Sequence, residues 1–130
     1  MLALLLVTAL LEVLTGLALL ATPSLVVSVL LGTVLDSSTG TVLARVAGAA
    51  LLSLGLVAWL ARKLPRSPAA GGLVQALLFY NAAVAAVLIH AHVALGVPGV
   101  GLWPAVIVHV AMAGWCILRM RKDKAQVRFP

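Results

Sequence analysis

Five ionisable side chains lie inside long apolar runs of the sequence, where such groups are costly. Inside a bilayer they usually face the interior of a helix bundle or a water-filled cavity, and they often mark ligand or proton sites. The polar side chains of a tyrosine and an asparagine accompany them. The candidates for chemistry are therefore Glu12, Arg45, His90, His92 and His109, with Tyr80 and Asn81 beside them.

Helical geometry places most of these side chains in one zone. With a rise of about 1.5 Å per residue, Glu12 lies roughly 14 Å inside the end of its predicted helix, His109 about 10 Å and Asn81 about 20 Å. Asn81 and His92 project to one side of their helix, whereas His90 points nearly opposite. We therefore expect one intramembrane cluster that binds a ligand or a proton, made of Glu12, Arg45, Asn81, His92 and His109.

Glu12 and Arg45 form the natural pair within this predicted cluster. One interpretation is a structural salt bridge that fixes the packing of two helices. The other is a gated polar pocket in which Glu12 accepts a proton or a cation. Because Glu12 is the single acidic residue in a predicted span, chemistry that needs two carboxylates is excluded.

The histidines allow a second hypothesis, in which His90 or His92 and His109 ligate a haem b between two helices. A neutral histidine that hydrogen-bonds to the backbone or to Asn81 is the more common arrangement. His90 and His92 are about 200° apart on a helix, which is a poor chelate for one metal ion. We therefore expect no metal site, and the cofactor stays open between haem and none.

Composition requires an apolar solvent around these residues. Of the 130 residues, 64% are hydrophobic and 9% are charged, whereas roughly a quarter of residues are charged in soluble domains. A spanning helix needs about 20 apolar residues. The sequence predicts a single all-α integral membrane domain over 1–130, a four-helix bundle with spans at about 2–21, 41–61, 72–95 and 102–120 and a basic tail at 121–130. The apolar segment 24–35 is too short to span, which indicates an interfacial or re-entrant helix.

Charge predicts the orientation. The formal charge is +6, and eight of the nine Lys and Arg residues lie in two clusters, at 62–66 and 119–128. Both clusters flank apolar runs, and positive flanks favour the cytoplasmic side. We expect a multi-pass protein of the cytoplasmic (inner) membrane with both termini inside, whose partners include membrane lipids rather than nucleic acid.

A resemblance supports this architecture. At positions 12–17, 23–24, 44–48, 80–81 and 103–105 leading to His109, the chain resembles a group of uncharacterised bacterial integral membrane proteins with four helices, a group whose activity is not established. It is also coarsely similar to small multidrug transporters, which have four short helices and one acid in the first. It departs from them in its few aromatic residues, in Arg45 and in its three histidines.

The expected function is non-catalytic: an accessory subunit of a membrane complex, or a component that binds a lipophilic or small ligand. One alternative is an oligomeric proton-coupled transporter that uses Glu12. The other is a haem- or quinone-binding anchor for electron transfer. Gly48 and Gly55 share a helix face that lets another helix approach closely, which favours a homo-oligomer or a subunit of a larger complex.

Overall fold

The chain folds into five helices and, within the described residues, no strand. The structure is a computed structural model that describes residues 1–64 and 67–128, with side chains described as far as 123. The all-α prediction is confirmed. Four of the helices are long and apolar enough to cross a membrane. The helices are α1 (Leu2–Ala21), α2 (Pro23–Leu31), α3 (Ser38–Ala61), α4 (Pro68–Leu95) and α5 (Leu102–Arg128).

Serine caps start two helices earlier than the apolar runs indicate. The Ser37 side chain accepts a hydrogen bond from the amide of Gly40, so α3 begins three residues before the predicted position 41. Ser67 caps α4 in the same way, and Pro68 occupies the first helical position, where its missing amide proton costs nothing. Hydropathy locates the apolar stretch of a helix, whereas side-chain capping decides where the helix begins.

The last helix runs beyond the predicted span. The apolar run ends at Met120, but α5 continues through Arg128. The predicted tail at 121–130 is therefore helical as far as it is described. Arg and Lys are good helix formers, so a change in hydropathy at this point does not end the helix.

The short apolar segment after α1 forms α2. Pro23 ends α1 but also begins α2, and Thr22 alone separates the two helices. Gly32 ends α2 in the left-handed conformation, with φ of +70°. Nine residues span about 14 Å, too little to cross a bilayer. The amide of Gly101 donates to the carbonyl oxygen of Val29 at 2.9 Å, which docks α2 on the connection between α4 and α5.

Helices α1 and α3 form an antiparallel pair whose backbones touch. A Cβ atom built on Gly16 would lie 2.7 Å from both the Gly48 carbonyl oxygen and the Leu52 amide nitrogen. One built on Gly55 would lie 2.9 Å from the Val13 amide nitrogen. Real Cβ atoms do not come so close to backbone, so glycine is required at this crossing. The glycine face predicted for another molecule therefore packs within the chain.

Helices α4 and α5 form the second antiparallel pair, and the two pairs share a dry core near the chain termini. This core buries side chains from all four long helices, as Leu5, Ala58, Leu77 and Cys116 illustrate. A smaller cluster of Leu88, Leu102 and Val106 lies near the end of the bundle that carries α2. We call this end the α2 end, and the opposite end, which carries the basic residues of α5, the basic end.

Candidate ligand-binding site between the helix pairs

A cavity of about 530 Å³ lies between the α1–α3 pair and the α4–α5 pair, on the α2 side of the dry core. All five helices line it, and most of the lining side chains are apolar. Helix α2 closes one end with Val26, Val29 and Leu30. The polar lining side chains are Glu12, Thr15, Tyr80, Asn81 and His109.

Glu12 and Tyr80 connect the two helix pairs at this cavity. Glu12 is 6% exposed. The Tyr80 hydroxyl on α4 donates a hydrogen bond to Glu12 Oε2 on α1, with an oxygen–oxygen distance of 3.0 Å. A buried carboxylate needs such a donor, because burial without a partner is strongly unfavourable. This bond fixes the position of the carboxylate at the cavity wall.

Asn81 and His109 form a second hydrogen-bonded pair, within the α4–α5 pair. The Asn81 Nδ2 donates to the Leu77 carbonyl oxygen at 2.8 Å, which turns Oδ1 toward α5. His109 Nδ1 lies 2.9 Å from that oxygen. An amide oxygen only accepts hydrogen bonds, so the network assigns the proton to Nδ1 of His109.

One aromatic contact joins these two hydrogen-bonded pairs. The rings of Tyr80 and His109 meet edge to face, with 5.7 Å between their centroids. Edge-to-face rings are a favourable arrangement because the positive edge of one faces the negative face of the other. Glu12, Tyr80, Asn81 and His109 therefore form one connected unit, which we call the polar cluster. The structure brings together three of the five predicted cluster residues and adds Tyr80.

Arg45 does not belong to the polar cluster, and the expected Glu12–Arg45 pair does not form. The glycine contacts place Glu12 level with the stretch of α3 between Leu52 and Gly55. Arg45 lies at least seven residues farther along α3, which corresponds to about 10 Å. Its side chain is exposed, and within the described residues it makes no ion pair with Glu12. The predicted shared face was correct for the glycines but carried no information on the register between helices.

His92 is engaged elsewhere. Its Nδ1 lies 3.0 Å from the carbonyl oxygen of Val97, in the connection after α4. Its ring packs edge to face on Trp103, with centroids 5.3 Å apart. His92 therefore ties the α4–α5 connection together at the α2 end, eleven residues of α4 away from Asn81, or about 16 Å along the helix.

The three histidines do not converge on one point. His90 is exposed on the surface of α4, while His92 and His109 lie at different levels of the bundle. Two axial haem ligands must face one iron atom from opposite sides, and no two of these histidines are placed to do so. Among the described residues, no group of three or more His, Cys, Asp and Glu side chains could hold a metal ion.

The cavity opens sideways. Its lining on α4 is buried at Asn81 and Leu88 and half-buried at Tyr80 and Val84. The exposed lining side chains lie on the other helices, with Leu11 38% exposed on α1 and Val108 40% exposed on α5. Ala47 of α3 is also exposed. The opening therefore lies between the α1–α3 pair and α5, on the lateral surface of the bundle.

Sequence reasoning missed two parts of this site. Nothing in the sequence indicated that α2 would close the cavity, because its apolar residues fit an interfacial helix equally well. Tyr80 was noted beside Asn81, but its bond to Glu12 depends on contact between the helix pairs. Neither a protein-family model, nor a curated protein, nor a solved structure matches the chain.

Proposed function

We propose that this protein is a non-catalytic, multi-pass membrane protein that binds a small lipophilic ligand in the cavity between its two helix pairs. The observation that carries the proposal is the cavity itself. Its volume of about 530 Å³ falls in the range of roughly 300–1,000 Å³ that is typical of small-molecule sites. Such sites are mostly apolar and carry a few precisely placed polar groups. This cavity has the same arrangement, with apolar walls and one polar cluster.

The lateral opening supports a ligand that is dissolved in the membrane. Exposed residues of a spanning bundle face acyl chains, so Leu11 and Val108 at the opening border lipid. At the basic end, the dry core separates the cavity from water, with Leu5 and Leu77 1% and 0% exposed. Helix α2 covers the opposite end. A lipophilic molecule can therefore reach the polar cluster through the side of the bundle.

We place the protein in the cytoplasmic membrane of a bacterium, with the basic end inside. The bacterial membrane follows from the resemblance given above, and the orientation rests on the positive residues at that end. Arg62 follows α3 there, and its guanidinium lies 3.5 Å from the centroid of the Trp59 ring. Arg119 and Arg121 lie near the end of α5. Tryptophan and arginine together are typical of the headgroup region.

Association with copies of itself or with a larger complex stays a prediction. Gly48 and Gly55, whose shared helix face favoured it, are covered within the chain. Chemical cross-linking in native membranes, followed by mass spectrometry of the purified products, would test the prediction. Stoichiometric partner chains would identify an accessory subunit, whereas an uncrosslinked monomer would contradict both forms of association.

The proposed binding is tested by an inventory of small molecules that purify with the protein. We expect extraction and mass spectrometry to recover a lipophilic compound from the wild type. Ala105→Trp places an indole in the cavity and should reduce the recovered compound at least tenfold. The matched control is Ile107→Trp on the same helix, whose side chain is 65% exposed and lies outside the cavity lining. Equal recovery from both variants would contradict the proposal.

A second candidate function is proton-coupled transport through Glu12. It is favoured by one observation: the carboxyl group lies in the cavity wall and is bonded to a neighbouring helix by Tyr80. Transport requires the dry core at the basic end to open. In liposomes, the transporter hypothesis predicts proton movement driven by a lipophilic substrate, which Glu12→Gln abolishes. Binding without any proton movement would leave the ligand-binding function alone.

A further inference from the structure

We infer that the cavity selects a neutral lipophile whose polar end donates a hydrogen bond, such as a long-chain alcohol or phenol, and that Asn81 sets this selectivity by fixing the tautomer of His109. This inference rests on the proposed ligand-binding function and adds the chemical class of the ligand. It follows from which hydrogen-bond donors and acceptors of the polar cluster already have partners.

Asn81 determines which ring nitrogen of His109 is free. Its Nδ2 is held by the Leu77 carbonyl oxygen, so Oδ1 must face the ring. His109 Nδ1 donates to that oxygen, and the neutral ring then carries a lone pair on Nε2. Within the described residues, Nε2 makes no hydrogen bond. A neutral ring is expected in this place because burying a charge without a partner is costly.

Glu12 presents a second polar atom with no partner. Its Oε2 already receives the hydroxyl proton of Tyr80, and its Oε1 has no partner among the described residues. The free atoms of the polar cluster are thus Nε2 of His109, which accepts a hydrogen bond, and Oε1 of Glu12, which accepts one from an ionised carboxyl group and donates one from a protonated carboxyl group. A ligand hydroxyl group donates to Nε2 of His109 and can also donate to or accept from Glu12. A ketone or an ether only accepts hydrogen bonds, so it cannot satisfy Nε2.

Thr15 is the remaining polar side chain of the lining, and it does not decide the selectivity. It lies one turn from Glu12 toward the α2 end, and it is exposed at the opening. A threonine hydroxyl both donates and accepts, so it accommodates either kind of ligand. Its removal provides a matched control that leaves the polar cluster intact.

The route of entry favours a neutral ligand over a cation. The opening faces the acyl chains, while α2 and the dry core cover the two ends of the cavity. A charged head group that entered sideways would have to cross hydrocarbon, at a cost of several kcal/mol on most scales. A hydroxyl group loses far less on the same path.

The test compares four probes that share one alkyl chain: dodecylphenol, its methyl ether, dodecylbenzoquinone and dodecylammonium. Binding is measured by calorimetry to the purified protein in nanodiscs. We expect the phenol to bind at least tenfold more tightly than the other three. We expect Asn81→Leu to reduce that preference to less than threefold, and Thr15→Val to preserve it. Histidine ¹⁵N spectra of the wild type should show the proton on Nδ1 of His109, and Asn81→Leu should show a mixture of tautomers.

Each other outcome overturns the inference in a distinguishable way. If the ether or the quinone binds as tightly as the phenol, the selectivity is wrong while ligand binding stands. Tighter binding of the ammonium probe would identify a cation site instead. If no probe saturates, the proposed function fails together with the inference. Should Asn81→Leu fail to fold, His109→Phe removes the same acceptor, and an unchanged preference for the phenol in that variant would overturn the role of the histidine.

Discussion

The two helix pairs are built in different ways. Helices α1 and α3 meet through glycine, so that backbone touches backbone at Gly16, Gly48 and Gly55. Helices α4 and α5 meet through side chains, with a hydrogen bond from His109 to Asn81 and apolar contacts on either side. In α5, Gly114 has no atom within 4 Å of the position where its Cβ would lie, so this pair does not depend on close approach.

This difference assigns separate roles to the two walls of the cavity. A glycine-packed pair has little freedom to shift, because steric contact fixes its spacing. A pair held by longer side chains has several rotamers available and can adjust to a ligand. The rigid wall supplies Glu12, while the adjustable wall supplies Tyr80, Asn81 and His109. The polar cluster therefore joins one group on the glycine-packed wall to three groups on the wall that is packed through side chains.

The largest effect is expected from breaking the rigid pair. In Gly16→Val, the new Cβ would lie 2.7 Å from backbone atoms of Gly48 and Leu52, and backbone cannot yield as a side chain would. Overpacking a core costs roughly 1–3 kcal/mol, and we expect the upper end of this range or loss of folded protein. Thermal unfolding in detergent measures the effect.

The matched control for this substitution lies in the other pair. Gly114→Val in α5 meets open space and should change stability by less than about 0.5 kcal/mol, as surface substitutions usually do. If the two variants unfold at the same temperature, the contrast between the helix pairs is wrong.

The next effect concerns helix α2, which closes one end of the cavity. A Cβ atom on Gly99 would overlap the Leu30 carbonyl oxygen of α2, so Gly99→Ala should displace α2 from the α4–α5 connection. We expect a loss of roughly 1–2 kcal/mol, of the order of other strained core substitutions. Faster hydrogen exchange at the amide of Gly101, which α2 now protects, would show the displacement.

The control for Gly99→Ala is Gly71→Ala, at a position where a Cβ atom meets nothing within 4 Å. It should be neutral or slightly stabilising, because alanine has the higher helix propensity. Unchanged exchange at Gly101 in the Gly99→Ala protein would show that α2 is not held by this contact.

An effect no larger than that of Gly99→Ala is expected within the α4–α5 pair. Asn81→Leu and His109→Phe each remove one partner of a buried hydrogen bond, and bonds between membrane helices are worth roughly 0.6 kcal/mol on average. Because each single variant also leaves a polar group unsatisfied, each should cost about 1–2 kcal/mol. The double variant should cost less than the sum, and a double-mutant cycle of unfolding free energies measures the coupling. If the costs of the two single variants simply add in the double variant, the Asn81–His109 hydrogen bond is contradicted.

The sequence allowed the fold to be predicted more completely than the site. Apolar runs located all four long helices, since hydropathy depends on each segment alone. The polar cluster needed more, because contact between Glu12 and Tyr80 depends on how two helix pairs are placed against each other. Helical phase grouped Asn81 with His92 because both project to one side of α4. Phase does not say at which level along the bundle a side chain lies, and the two residues are eleven positions apart with different partners.

Arg45 gives the smallest predicted effect and tests the register most directly. A pair of helices that is held by backbone contact needs no ion pair across it, and the exposed Arg45 side chain lies well away from Glu12. Arg45→Gln should therefore change the unfolding free energy by less than about 0.5 kcal/mol. Glu12→Gln is the matched change on α1. Its effect on the unfolding free energy should add to that of Arg45→Gln in the double variant, since distant sites rarely couple. A coupling energy above about 1 kcal/mol would mean that the two charges meet, which requires α1 and α3 to slide by roughly two turns. The glycine contacts forbid that shift, so such a result would overturn the packing of the rigid pair as well.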